Sequence, residues 1–91
     1  MNFEYNSLKS KSNKGKHGID FEEAKELWFN DNVVLPALTR GESRYMIIGK
    51  LGESVYSCIF MVRKTNIRII SCRKVRSKEK KVCYEKIKEI S

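Results

Sequence analysis

Three apolar segments, Arg44 to Lys50, Val55 to Arg63 and Ile67 to Arg73, are joined only by Leu51-Gly52-Glu53-Ser54 and Lys64-Thr65-Asn66. A crossover between parallel strands needs a dozen or more residues, so linkers this short admit only antiparallel neighbours. The centre of the chain is therefore predicted to be a β-meander, and every other element must pack on it or extend it.

Upstream, Val33-Val34-Leu35 reads as an extended segment leading into Pro36, the only proline of the chain. A proline removes one ladder donor, which suits a sheet edge or an irregular strand. Thr39-Arg40-Gly41-Glu42 is a turn before the meander. At the start, Met1 to Tyr5 alternates apolar and polar residues over a length that allows only a short edge strand. Ser7 to Lys14 is a polar helix whose one apolar residue is Leu8, closed by Gly15 or Gly18 in a left-handed conformation. Asp20 caps a second helix, with Glu23 reaching back in a capping box. Phe21, Ala24, Leu27 and Trp28 give that helix one apolar face, with Trp28 as a packing anchor. Ser77 caps a last helix with Cys83, Ile87 and Ile90 on a narrow stripe. The expected fold class is α+β, an antiparallel meander carrying two N-terminal helices and one C-terminal helix, in a single domain spanning residues 1–91.

Charge narrows the partners. The net charge is +8, and residues 63–91 alone hold eleven basic and three acidic side chains, whereas residues 20–32 hold one basic and five acidic. A basic surface of this kind attracts RNA, DNA or an acidic protein. No segment reaches the roughly 18 apolar residues of a membrane span, and the N-terminus lacks the charged-then-apolar order of a signal peptide. A cytoplasmic protein without a membrane partner is expected. Cys58, Cys72 and Cys83 show no C-x-x-C spacing and read as buried thiols in a reducing compartment, not as a zinc site or a disulfide framework.

No phosphate-cradling glycine loop, H-E-x-x-H, G-x-S-x-G or carboxylate cluster is present, so no cofactor or metal is expected. Four arginines stand at strand ends instead: Arg44, Arg63, Arg68 and Arg73. In a meander, the first three meet at one rim and Arg73 lies toward the other. Strict alternation along Ile67 to Arg73 puts Ser71 and Arg73 on one face and Arg68 on the opposite one. Arginine grips phosphate through its planar fork, although ion pairs with the acidic helix are an equal use for it. Cleavage of RNA without a metal needs a base for the 2′-hydroxyl, cationic support for the phosphate and an acid for the leaving oxygen. Glu42, His17 and Tyr84 are the side chains available for the proton steps. His17, the only histidine, also has a purely structural reading, because Gly18 and Asp20 explain its segment as a helix stop followed by a helix start.

These residues carry a resemblance. Asn13, Lys16-His17-Gly18-Ile19, Phe21 and Ala24, then Gly41-Glu42 with Arg44 and Gly49, then Ile67-Arg68-Ile69-Ile70-Ser71 with Arg73 and Lys74, resemble the BrnT family of bacterial type II toxin–antitoxin ribonucleases. The chain departs from the family pattern at Tyr5-Asn6, where many members carry Trp-Asp, at Met61-Val62, and at Cys72, where many carry alanine. The resemblance implies a RelE-like fold and a toxin that inhibits translation by cutting RNA. It also implies neutralisation by a BrnA-like ribbon-helix-helix antitoxin, with operator DNA bound only through the toxin–antitoxin complex. On this reading Arg44, Arg63 and Arg73 support phosphate and Glu42 or His17 moves protons. Lys16, Arg68, Lys74, Arg76 and Tyr84 bind RNA. The other reading is a non-catalytic basic module that binds nucleic acid or an acidic antitoxin.

Overall fold

A computed structural model describes residues 2–37 and 43–75. Its elements are β1 (Asn2–Glu4), α1 (Ser7–His17), α2 (Phe21–Ala24), a 3₁₀ helix (Lys25–Phe29), β2 (Asn32–Ala37), β3 (Arg44–Leu51), β4 (Ser54–Arg63) and β5 (Asn66–Lys74). The five strands form one sheet in the order β1-β5-β4-β3-β2. β2 to β5 are the expected antiparallel meander, with Pro36 on an edge strand. β1 is the other edge, and it runs parallel to β5, with Phe3 opposite Ile67 and Glu4 opposite Arg68. The expected helix after Ser77 and the turn at Thr39–Glu42 lie outside the described residues.

Local chemistry explains the N-terminal elements. Asn6 caps α1, its side chain accepting from the amides of Leu8 and Lys9. Aspartate and asparagine cap equally well, so the departure from Trp-Asp at this position leaves the helix start intact. Gly18, not Gly15, ends α1, with φ 75°. Asp20 and Glu23 form the expected capping box. After Ala24 the helix tightens into 3₁₀ geometry. Phe21 and Ala24 share one face of α2, the three-residue turn that follows carries that face on to Leu27, and each of the three is at most 1% exposed.

These helices cover one face of the sheet. The core joins Ile19, Phe21, Ala24 and Leu27 to Ile47, Cys58, Phe60, Ile67, Ile69 and Cys72. Trp28 packs edge-on against both Phe3 and Phe60, as an anchor. Gly49 admits the 3₁₀ helix closely. A Cβ there would stand 3.1 Å from both the Asp31 carbonyl oxygen and Leu27 Cδ2.

Two expectations need correction. Cys58 and Cys72 face each other across β4 and β5, with Cα atoms 4.1 Å apart, and are joined in a disulfide instead of remaining separate thiols. The pairing comes from strand register over a separation of 14 residues, which no local cysteine spacing announces. Strict alternation also fails on β5. Ile59 pairs with Ser71 but the next residue, Phe60, pairs with Ile69, so Ile70 is a bulge residue. One extra residue reverses the parity beyond it. Ile67, Ile69 and Cys72 therefore share the helix-covered face, while Arg68, Ser71 and Arg73 share the other.

The acidic segment is used internally. Tyr5 Oη donates to Glu22 at 2.6 Å, and Lys25 pairs with the same carboxylate. Lys14 pairs with Glu23. The Tyr5 hydroxyl first and Lys25 second hold the Glu22 carboxyl below its ordinary value, and Lys14 does the same for Glu23. Carboxyls depressed in the folded state contribute stability above the unfolded glutamate pKa of about 4.3, and that contribution is lost as pH falls through the depressed values. A Glu22→Gln/Glu23→Gln variant should therefore lose less melting temperature than the wild type between neutral and acid pH. Thermal melts across that range check this, and parallel curves would contradict it.

Candidate active site

The face of the sheet opposite the helices carries the basic residues. Ser57 pairs with Arg73, Met61 with Arg68 and Arg63 with Asn66. Positions 57, 61 and 63 are all odd on β4 and so point the same way. Arg44 precedes Tyr45, the partner of Phe60, and joins the row of Met61 and Arg68. The bulge thus brings Arg44, Arg63, Arg68 and Arg73 to one face, with Lys74 alternating to the other. Four residues of β4 separate the Arg73 row from the Arg68 row, about 13 Å, and six separate it from Arg63, about 20 Å.

Arg63 and Arg68 converge on Glu4, each with a guanidinium nitrogen 3.8 Å from its carboxylate. Their acidic partner is thus the short strand β1 and not the acidic helix, whose carboxylates are engaged by Tyr5, Lys14 and Lys25. Glu4 had no signal in the sequence beyond being the one acidic residue before Asp20. It acquires a role only because β1 lies parallel to β5 and opposite Arg68.

The other end of this face holds a pocket of about 160 Å³ in which His17 and Arg73 both stand. Its floor is Met46, Ser57 and Ile59, and Ser71 and Cys72 complete it. His17 reaches it because β1 pairs only with residues 66–68 of β5, leaving the rest of that strand edge to α1. Asn13 fixes the approach. Its Nδ2 donates to the Ile19 carbonyl at 2.8 Å, and its Oδ1 accepts from the Cys72 amide at 3.2 Å, beside the bulge. Ser10 Oγ likewise accepts from the Phe21 amide. A second pocket, of about 270 Å³, adjoins the first along α1 and includes Lys16 and His17.

Among the sequence candidates, then, His17, Lys16 and Arg73 gather at one end, Arg44 and Arg68 stand about 13 Å along the strands from Arg73, and Arg63 is more remote. Glu42, Arg76 and Tyr84 lie outside the described residues. Among the described residues no three His, Cys, Asp or Glu side chains gather to hold a metal ion, and no helix is long and apolar enough to cross a membrane. Chemically, the pocket lining brings an imidazole, a guanidinium and two serines beside the apolar Met46 and Ile59. That set suits a phosphodiester that must be held while a proton moves.

Comparison with known proteins bears on the family, not on these residues. The family model of the ribonuclease toxin BrnT, of type II toxin–antitoxin systems, matches residues 5–79. The crystal structure of the Brucella abortus ribonuclease toxin BrnT is similar at 29% identity and a TM-score of 0.69, over 85% of this chain and 99% of that one. No curated protein sequence matches.

Proposed function

Because the chain belongs to the BrnT family of type II toxin–antitoxin ribonuclease toxins, we propose that it is a RelE-like, metal-independent endoribonuclease that stops translation by cutting RNA. The observation that carries this reading is the shared pocket of His17 and Arg73. The 2′-hydroxyl of the bound nucleotide attacks the adjacent phosphorus. The bond to the 5′ oxygen of the next nucleotide breaks, leaving a 2′,3′-cyclic phosphate and a 5′-hydroxyl. Arg73 balances the charge that grows on the phosphate oxygens. His17 takes one of the two proton-transfer roles, and Glu42 or Tyr84 takes the other. Arg44 and Arg68 hold the RNA farther along the same face, about 13 Å from Arg73. The antitoxin partner is a BrnA-like ribbon-helix-helix protein, through which the complex reaches operator DNA.

Purified protein should cut RNA in the presence of a chelator and leave cyclic phosphate ends, read by end-specific labelling. His17→Ala should slow the cut by about 10²-fold or more, the usual scale of a lost proton-transfer group. Salt-dependent RNA binding without any product would replace this reading with that of a non-catalytic binding module.

A further inference from the structure

A second pocket adjoins the His17 and Arg73 site. It lies between α1 and the bulged edge of β5, lined by Lys9, Ser12 and Lys16 from the helix and by Ile70 and Ser71 from the strand. Residues 9, 12 and 16 fall on one helical face, and Lys9 and Lys16 stand about 10 Å apart along the axis at 1.5 Å per residue. α1 has no acidic residue in its sequence. Its Lys14, pointing elsewhere, is paired with Glu23. Among the described residues no carboxylate is paired with Lys9 or Lys16, and both are exposed. The cations that face the groove are thus the ones available to a ligand.

Two features choose the ligand. The groove shares His17 and Ser71 with the neighbouring pocket, so a strand held at Arg73 continues into it without leaving the surface. Ile70, half-buried at the bulge, gives an apolar contact between the two lysines and the strand edge, against which a ribose or base can rest. A phosphate chain with flat apolar groups matches that alternation better than a run of carboxylates does.

We infer that the α1–β5 groove is a second RNA subsite, in which Lys9, Ser12 and Lys16 hold the backbone phosphates flanking the one at Arg73. This rests on the ribonuclease reading for its substrate, but binding tests it separately from cleavage. The probe is a fluorescent 2′-O-methyl oligoribonucleotide, which lacks the attacking hydroxyl, titrated with the full chain at several salt concentrations. Lys9→Glu is expected to weaken binding about tenfold or more and to lower the salt slope by about one. Lys11→Glu makes the same charge change on the same helix outside the groove and should have a clearly smaller effect. Equal effects of the two variants would overturn the subsite, as would wild-type binding by Lys9→Glu or no binding by the wild type. Equal displacement of the probe by an oligo-glutamate of matched charge would also overturn it, in favour of an acidic peptide. If the groove variants behave as expected while natural RNA is never cut, the subsite stands and the nuclease reading falls. If RNA is cut and Lys9→Glu binds normally, the reverse holds.

Discussion

Arg73→Ala is expected to lower the rate of RNA cleavage by about 10²- to 10³-fold, the loss that accompanies removal of one positioned donor to a transition-state oxyanion. The reason is placement. Arg73 alone among the four sheet arginines shares the pocket of His17, so on the proposed mechanism it is the guanidinium that meets the phosphate undergoing attack. Arg73→Lys keeps the charge but loses the two-pronged fork, and should recover only part of the rate. Arg63 provides the contrast. It lies about 20 Å from the Arg73 row along the strand, at the end of β4, and is engaged by Glu4. Its ion pair is exposed and contributes little to stability. Arg63→Ala should therefore change cleavage by less than about tenfold, mostly through weaker RNA binding. Single-turnover cleavage with enzyme in excess separates the two cases. Equal losses for Arg63 and Arg73, or a wild-type rate for Arg73→Ala, would show that the reacting phosphate sits elsewhere on the face.

That contrast could not be drawn from the sequence. Arg44, Arg63, Arg68 and Arg73 were visible as cations at strand ends, and the short linkers were sufficient to fix the antiparallel order. Alternation, however, sorted Arg68 and Arg73 onto opposite faces. The reversal depends on Ile70, and nothing in Ile67-Arg68-Ile69-Ile70-Ser71 marks which residue will be the extra one. The helical punctuation was legible because caps are local: Gly18, Asp20 and Glu23 act within a few residues of one another. Glu4 and the Cys58–Cys72 pair were not, since both depend on which strands become neighbours over separations of many residues. The helix α1 was legible as polar but not as one wall of a groove, because the second wall is the edge of β5. That edge is open to α1 only because β1 stops at Glu4.

Asn13→Ala is expected to be the most destabilising single polar substitution among the described residues, at about 2 to 4 kcal/mol, since a buried group left without its partner costs about 1 to 3 kcal/mol. Asn13 is 7% exposed and ties three pieces of chain together. Its amide nitrogen serves the Ile19 carbonyl in the loop after α1, and its oxygen serves the Cys72 amide. That amide lies just past the bulge, on a strand edge that β1 does not cover, so water or Asn13 must satisfy it. At about 4 to 8 °C per kcal/mol for a domain of this size, the melting temperature should fall by roughly 8 to 32 °C. Asn13→Asp separates the two bonds, for it retains the acceptor for Cys72 but turns an oxygen toward the Ile19 carbonyl, and it should lose most of the same stability. The consequence for catalysis follows from position. Ser71 and Arg73 flank the residue that Asn13 holds, and His17 is one helical turn beyond it, so releasing the bond loosens both walls of the pocket together. Cleavage by Asn13→Ala, measured well below its melting temperature, should drop more than tenfold. Hydrogen exchange at the Cys72 amide should accelerate in parallel. A variant that melts within a few degrees of the wild type and keeps that amide protected would mean that strand register alone holds the bulge, and with it the arginine face.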